Sequence, residues 1–133
     1  MADKTLTCSV LTPERAVLEA QAGFAALPAY DGEVGILPGR APLLCRLGVG
    51  IVRLQTAGDV TRLFVDAGFA EVHDDKVTIL TEHALAPEEV DVEAERAALA
   101  AARLRKATTP QAQQTRQREL ARAATKIKLA SAG

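Results

Sequence analysis

The stretch Gly32-Glu33-Val34-Gly35-Ile36-Leu37-Pro38-Gly39-Arg40-Ala41-Pro42-Leu43-Leu44 sets three glycines and two prolines into an otherwise apolar run. Gly35 and Gly39 admit backbone conformations closed to other residues. Pro38 and Pro42 fix φ and supply no N–H, so the stretch is not expected to be an interior strand of regular pairing. A stiff, apolar, glycine-punctuated loop either turns a structural corner or presents a surface to a partner. Residue chemistry alone leaves both open.

The sequence on either side reads as short strands. Leu6, Cys8 and Val10 alternate with Thr5, Thr7 and Ser9, the period-2 mark of a half-buried strand. After the Pro13-Glu14 turn, Ala16 to Leu18 forms a second strand. Phe24 to Leu27 forms a third, closed by Pro28 and Asp31-Gly32. Beyond the loop, Val49 to Gln55 and Val60 to Val65 pair across Thr56-Ala57-Gly58-Asp59, and Phe69 to Val72 pairs with Lys76 to Leu80 across His73-Asp74-Asp75. Evenly spaced short strands without an intervening helical pattern predict an antiparallel β-sandwich or flattened barrel over residues 1–86.

From Glu88 the composition changes, and alanine replaces the strand formers. Glu88, Glu89, Asp91, Glu93 and Glu95 gather at one end, and Arg103, Arg105 and Lys106 at the other, matching a helix macrodipole. This helix, about 88–106, starts either at an Asp91 N-cap or one turn earlier with Pro87 in first position. Thr109 then caps a second helix that begins at Pro110 and runs to about 130. The expected class is therefore α+β, a β-sandwich followed by an antiparallel α-helical hairpin over 87–133. Alanine at the helix contact buries little area, so at about 25 cal/mol per Å² the pairing should be weak enough to open.

The 133 residues are 48% apolar and 25% charged, as in a globular chain. With aromatics at 3%, stacking platforms for bases or sugars are not expected. No run of about 18 uncharged apolar residues suits a membrane span, and Met1-Ala2-Asp3-Lys4 does not begin a secretion signal. Cys8 and Cys45 form no Cys-x-x-Cys pair and read as reduced, packed thiols. His73 and His83 stand apart without partners, so neither a metal site nor a catalytic set is expected. The net charge of −1 hides a polarity: residues 1–87 carry seven basic and eleven acidic side chains, and residues 111–133 carry five and one. A basic tail on an acidic body usually faces an acidic partner.

The thirteen residues Gly32 to Leu44 closely resemble the signature of the epsilon subunit of F-type rotary ATP synthases, bacterial type. Val10-Leu11-Thr12-Pro13-Glu14-Arg15, and Val65 to Val72 followed by Lys76 to Leu80, resemble the same family in the same order. The resemblance covers the whole chain. It implies a non-catalytic subunit at the foot of the rotor, bound to the gamma subunit and touching the polar loops of the c-ring. It further implies that the helices can extend along gamma towards the catalytic alpha and beta subunits and there restrain ATP hydrolysis. The implied location is peripheral, on the cytoplasmic face of a bacterial inner membrane. The rival reading is a free-standing adaptor or nucleic-acid-binding module using the basic helix, which the acidic body and scarce aromatics disfavour.

The resemblance also assigns residues. Glu33 and Arg40 take the places that lie near the c-ring loops, with Arg40 where histidine is usual, so a fixed cation replaces a titrating group. The alternative for both is a solvated loop charge. Arg118, Arg122 and Lys126, spaced by four, share one helix face, and their mutual repulsion would be relieved by an acidic surface. The resemblance makes that surface the beta subunit and the stripe the inhibitory contact; the alternative is a solvated face. Some relatives bind ATP through an Ile/Leu-Asp-x-x-Arg-Ala motif, and Asp91, Glu93 and Arg96 are the nearest residues here. The spacing departs from that motif and no phosphate-binding glycine loop is present. The expectation is no resident cofactor, with regulatory ATP binding the weaker alternative.

Overall fold

The computed structural model describes residues 4–132, in two compact units that meet at Leu85 and Ala86. The first unit is an eight-stranded sheet in the order β2-β1-β7-β6-β5-β3-β4, with β8 also on β6. Its strands are β1 Leu6–Leu11, β2 Ala16–Ala22, β3 Phe24–Ala29, β4 Gly32–Ile36, β5 Leu43–Thr56, β6 Asp59–His73, β7 Lys76–Leu80 and β8 Ala84–Leu85. All pairs are antiparallel except β1 with β7. Alternation is strict in β1, where Leu6, Cys8 and Val10 are buried and their neighbours half-buried. Phe64, Leu6, Leu27, Ile36, Leu47, Leu54 and Ile79 are the bulkiest buried side chains of the sandwich core.

Two strands are longer than their sequence signatures. β5 has 14 residues and β6 has 15, joined by a two-residue turn at Ala57-Gly58. At about 3.4 Å per residue each spans roughly 48 Å, so one flat layer cannot hold them and the sheet folds over. β6 turns at Ala67 (φ 60) and Gly68 (φ 117), where its ladder to β5 skips a pair and its other neighbour changes from β8 to β7. The Asp66 N–H closes this junction by donating to Thr81 Oγ1 and the His83 carbonyl, both at 3.1 Å.

Two strand boundaries differ from the sequence expectation. β3 does not stop before Pro28 but continues to Ala29 between β4 and β5. The ladder to β5 is irregular between Ala26 and Ala29, so the missing Pro28 N–H falls where no regular bond is made. Gly50 of β5 makes room for the proline ring, because a Cβ there would lie 2.4 Å from Pro28 Cβ. The Gly32 to Leu44 stretch is likewise only partly loop. Gly32–Ile36 is β4, an edge strand paired with β3, and Leu43 opens β5, so the irregular part is Leu37 to Pro42. Only an edge was compatible with the glycines and prolines, and β4 lies at one.

The second unit holds a 3-10 turn, Pro87–Glu89, and two helices, α1 Val92–Leu104 and α2 Pro110–Ala132. The open question of the helix start resolves into both alternatives. Pro87 leads the 3-10 turn, whose Glu89 side chain accepts the Ala86 N–H at 2.9 Å, and Asp91 caps α1 by accepting from the Ala94 N–H at 3.1 Å. Val90 between them is extended and stops a continuous helix from 88. Thr109 Oγ1 accepts from the Ala112 N–H at 3.0 Å, the cap expected ahead of Pro110.

Candidate functional site

Strand register aligns the outward side chains of the sheet. Arg46, Phe69 and Leu80 face one another across β5, β6 and β7, and Leu44, Glu71 and Thr78 form the next row on the same face. Three of these are large, apolar and open to water: Leu44 is 70% exposed, Phe69 54% and Leu80 52%. Tyr30 joins them, its N–H donating to the Arg46 carbonyl at 2.8 Å and its ring 4.5 Å below the Arg46 guanidinium. A shallow depression of about 450 Å³ lies alongside, lined by Pro42, Leu43, Leu44, Glu71, Val72 and His73. Scattered exposed leucines are ordinary, but large apolar side chains gathered on one face are the mark of an interaction surface.

The Leu37–Arg40 turn stands at the β4–β5 connection. The Arg40 N–H closes it on the Leu37 carbonyl at 3.2 Å, with Pro38 second and Gly39 third at φ 87, the residue pattern of a type II turn. The Gly39 N–H points elsewhere and donates to Asp75 Oδ1 at 2.7 Å. Leu37, 60% exposed, and Arg40, also exposed, crown the turn. Glu33 stands on β4, where Oε1 accepts from Arg53 Nη2 at 2.8 Å with both side chains about half exposed. The structure thus gives Glu33 a partner within the chain and leaves Arg40 open. The turn and the apolar face are features that the strand pattern by itself did not assign. Leu80 was the legible clue: in Lys76–Leu80, Val77 and Ile79 point inward, so an apolar residue falls on the outward phase.

In the hairpin the basic residues are divided. Arg116 Nε and Nη2 donate to the Ala102 and Arg103 carbonyls, both at 3.0 Å, covering the free end of α1. Arg105 at that end grips both carboxylate oxygens of Glu119, at 2.5 and 2.6 Å, and Lys126 Nζ lies 3.5 Å from Glu95 Oε1. Of the stripe Arg118, Arg122 and Lys126, only Arg118 is exposed, and the other two are half-buried. Lys126 already has an acidic neighbour in α1, so the expectation of a uniform stripe awaiting an outside partner applies in full to Arg118 alone. Asp91 is engaged as the α1 cap, and Arg96 Nη1 lies 3.4 Å from Glu93 Oε1 on the exposed side of the first turns.

No activated nucleophile is formed by the thiols. Burial pushes Cys8 up to about 11, and burial together with the nearby Asp31 carboxylate raises Cys45 against a smaller lowering by a backbone hydrogen bond at Ala70. Both remain protonated thiols at neutral pH. Among the described residues no group of three or more His, Cys, Asp or Glu could hold a metal ion, and no helix is long and apolar enough to cross a membrane.

The structure thus combines a β-sandwich that carries a cluster of exposed apolar side chains with a pair of C-terminal helices. Residues 5–97 match the family described as ATP synthase, Delta/Epsilon chain, beta-sandwich domain. The chain is 43% identical over 119 residues to the ATP synthase epsilon chain of Rhodopirellula baltica, covering 90% of this chain and 93% of that one. It is 42% identical over 92 residues to the ATP synthase epsilon chain of Pelotomaculum thermopropionicum, 69% of each. Among solved structures, it resembles a chain of the Euglena gracilis mitochondrial ATP synthase, determined with its F1/c-ring, at TM-score 0.78 and 25% identity over 97% of this chain and 82% of that one. A chain of the Tetrahymena thermophila mitochondrial ATP synthase central stalk and c-ring shares the fold at TM-score 0.67 and 13% identity, covering 98% and 99%. The chain belongs to the ATP synthase epsilon chain family, whose members are structural subunits of that complex.

Proposed function

We propose that this chain couples proton-driven rotation of the c-ring to ATP synthesis through the gamma subunit, performs no chemistry itself, and restrains ATP hydrolysis through its helices. It does so peripherally, on the cytoplasmic face of a bacterial inner membrane. The observation that carries the reading is the exposed apolar cluster Leu44, Phe69 and Leu80 on one face of the sheet. A rotor subunit must stay attached while torque passes through it, which calls for a permanent and therefore apolar interface. That face is assigned to gamma. The Leu37–Arg40 turn and Glu33 are assigned to the c-ring loops. The Glu33–Arg53 pair is solvent-exposed and worth about 0–1 kcal/mol, so a ring cation can displace Arg53 at little cost. Arg118, with Arg122 and Lys126 once α2 leaves α1, is assigned to an acidic surface of the beta subunit.

The test is Phe69→Glu. Phe69 is outward and half exposed, so the isolated chain keeps its thermal midpoint, the change staying within about 0.5 kcal/mol. Co-purification with gamma should fall at least tenfold, because a carboxylate would be taken out of water at an apolar interface. Undiminished co-purification of a folded variant rejects the assignment.

A further inference from the structure

We propose that Asp75 is the positioning residue of the docking turn: its carboxylate holds the Leu37–Arg40 turn in the orientation that meets a partner. The inference rests on the reading of that turn as a docking element.

Asp75 stands in the tight turn between β6 and β7, with φ 60, next to Asp74 at φ 50. An aspartate tolerates this left-handed geometry better than most side chains, and two such residues in succession match the twist of the flanking strands. Its backbone carbonyl accepts the Thr7 N–H at 2.8 Å at the start of the β1–β7 pairing. Its side chain reaches 36 residues back along the chain to the Gly39 N–H at 2.7 Å. A single half-buried residue therefore links β1, the β6–β7 turn and the β4–β5 loop.

Within the Leu37–Arg40 turn, Pro38 and the 3.2 Å closing bond fix its internal shape. Neither fixes its direction relative to the sheet, because Ala41 and Pro42 lie ahead of the β5 ladder, which begins at Leu43. The Gly39–Asp75 bond is the constraint that does. Bonds from an N–H to a carboxylate are shorter and stronger than neutral ones, and a Cβ at Gly39 would be strained at φ 87. Asp75 thus orients Leu37 and Arg40 together.

The test uses the full chain with three substitutions. Asp75→Gly removes the carboxylate while keeping a residue at ease with φ 60, Asp75→Asn keeps an acceptor oxygen, and Arg40→Glu alters the turn's own charge. Amide hydrogen exchange at Gly39 should accelerate about tenfold in Asp75→Gly and stay within about threefold of the parent in Asp75→Asn. The Thr7 amide, bonded to the Asp75 backbone, should exchange as before. Unchanged exchange at Gly39, or equal loss at both amides, overturns the inference. Affinity for the purified c-ring should then fall at least threefold in Asp75→Gly. Weaker ring binding in Arg40→Glu but not in Asp75→Gly sinks the positioning role alone. Unchanged binding in both variants removes the docking reading on which it stands.

Discussion

At Gly68 two independent demands fall on one residue. Its φ of 117 lies where side-chain-bearing residues are strained, and a Cβ built there would sit 1.9 Å from the Leu80 carbonyl oxygen. That oxygen belongs to the end of β7, and Leu80 pairs with Phe69 directly after the glycine, so the neighbour cannot give way without breaking the ladder. Gly68→Ala should therefore cost about 3 kcal/mol or more, combining backbone strain of about 1–3 kcal/mol with displaced pairing. Urea denaturation of the parent and the variant measures it; a loss under 1 kcal/mol would mean that β6 can straighten. Gly39 and Gly32 also have positive φ, but nothing lies within 4 Å of their added Cβ, so substitution there meets strain without a clash.

At the scale of elements, the period-2 pattern made β1 and the β6–β7 hairpin legible, because each buries one face more deeply than the other. The full length of β5 and β6 was less legible. Val49 is only half-buried and Gly48 and Gly50 interrupt the apolar alternation, so the outer half of β5 reads as loop until its partner is present. The continuation of β3 through Pro28 was hidden for a similar reason, since only a ladder irregularity and the space above Gly50 make the proline tolerable. Helix caps at Asp91 and Thr109 could be read because capping chemistry is local. The cross-helix links could not, because they join residues 13 to 31 apart whose facing depends on how two Ala-rich surfaces mesh. Those links also revise the expectation of a weak, purely apolar helix contact. Arg105–Glu119 is partly exposed and contributes at most about 0.5–1 kcal/mol, whereas Glu95–Lys126, with side chains 18% and 24% exposed, is less screened. A double-mutant cycle with Glu95→Gln and Lys126→Gln should give a coupling of about 1 kcal/mol that shrinks in 1 M salt. Thermal unfolding of the four proteins reads it, and zero coupling at low salt would reduce the pair to an incidental contact.

For the whole molecule, the α2 charges that are assigned to the beta subunit are in part the charges that hold α2 to α1. Lys126 can face Glu95 or an outside carboxylate, not both, so hairpin opening and the proposed inhibitory contact draw on one set of cations. Arg118 is the exception, since it is exposed on the paired helices. Two substitutions should then move ATP hydrolysis by the assembled complex in opposite directions. Arg118→Glu leaves the α1–α2 links intact and replaces attraction to an acidic surface with repulsion, so hydrolysis should rise severalfold. Glu95→Gln leaves every cation in place and removes a link that favours the closed hairpin. A loss of about 1 kcal/mol shifts a two-state equilibrium roughly fivefold, so a larger share of complexes should be restrained and hydrolysis should fall. Steady-state hydrolysis with equal incorporation of each variant decides the matter. A rise in both would show that the hairpin restrains hydrolysis while closed, and no change in either would leave it a structural part of the rotor.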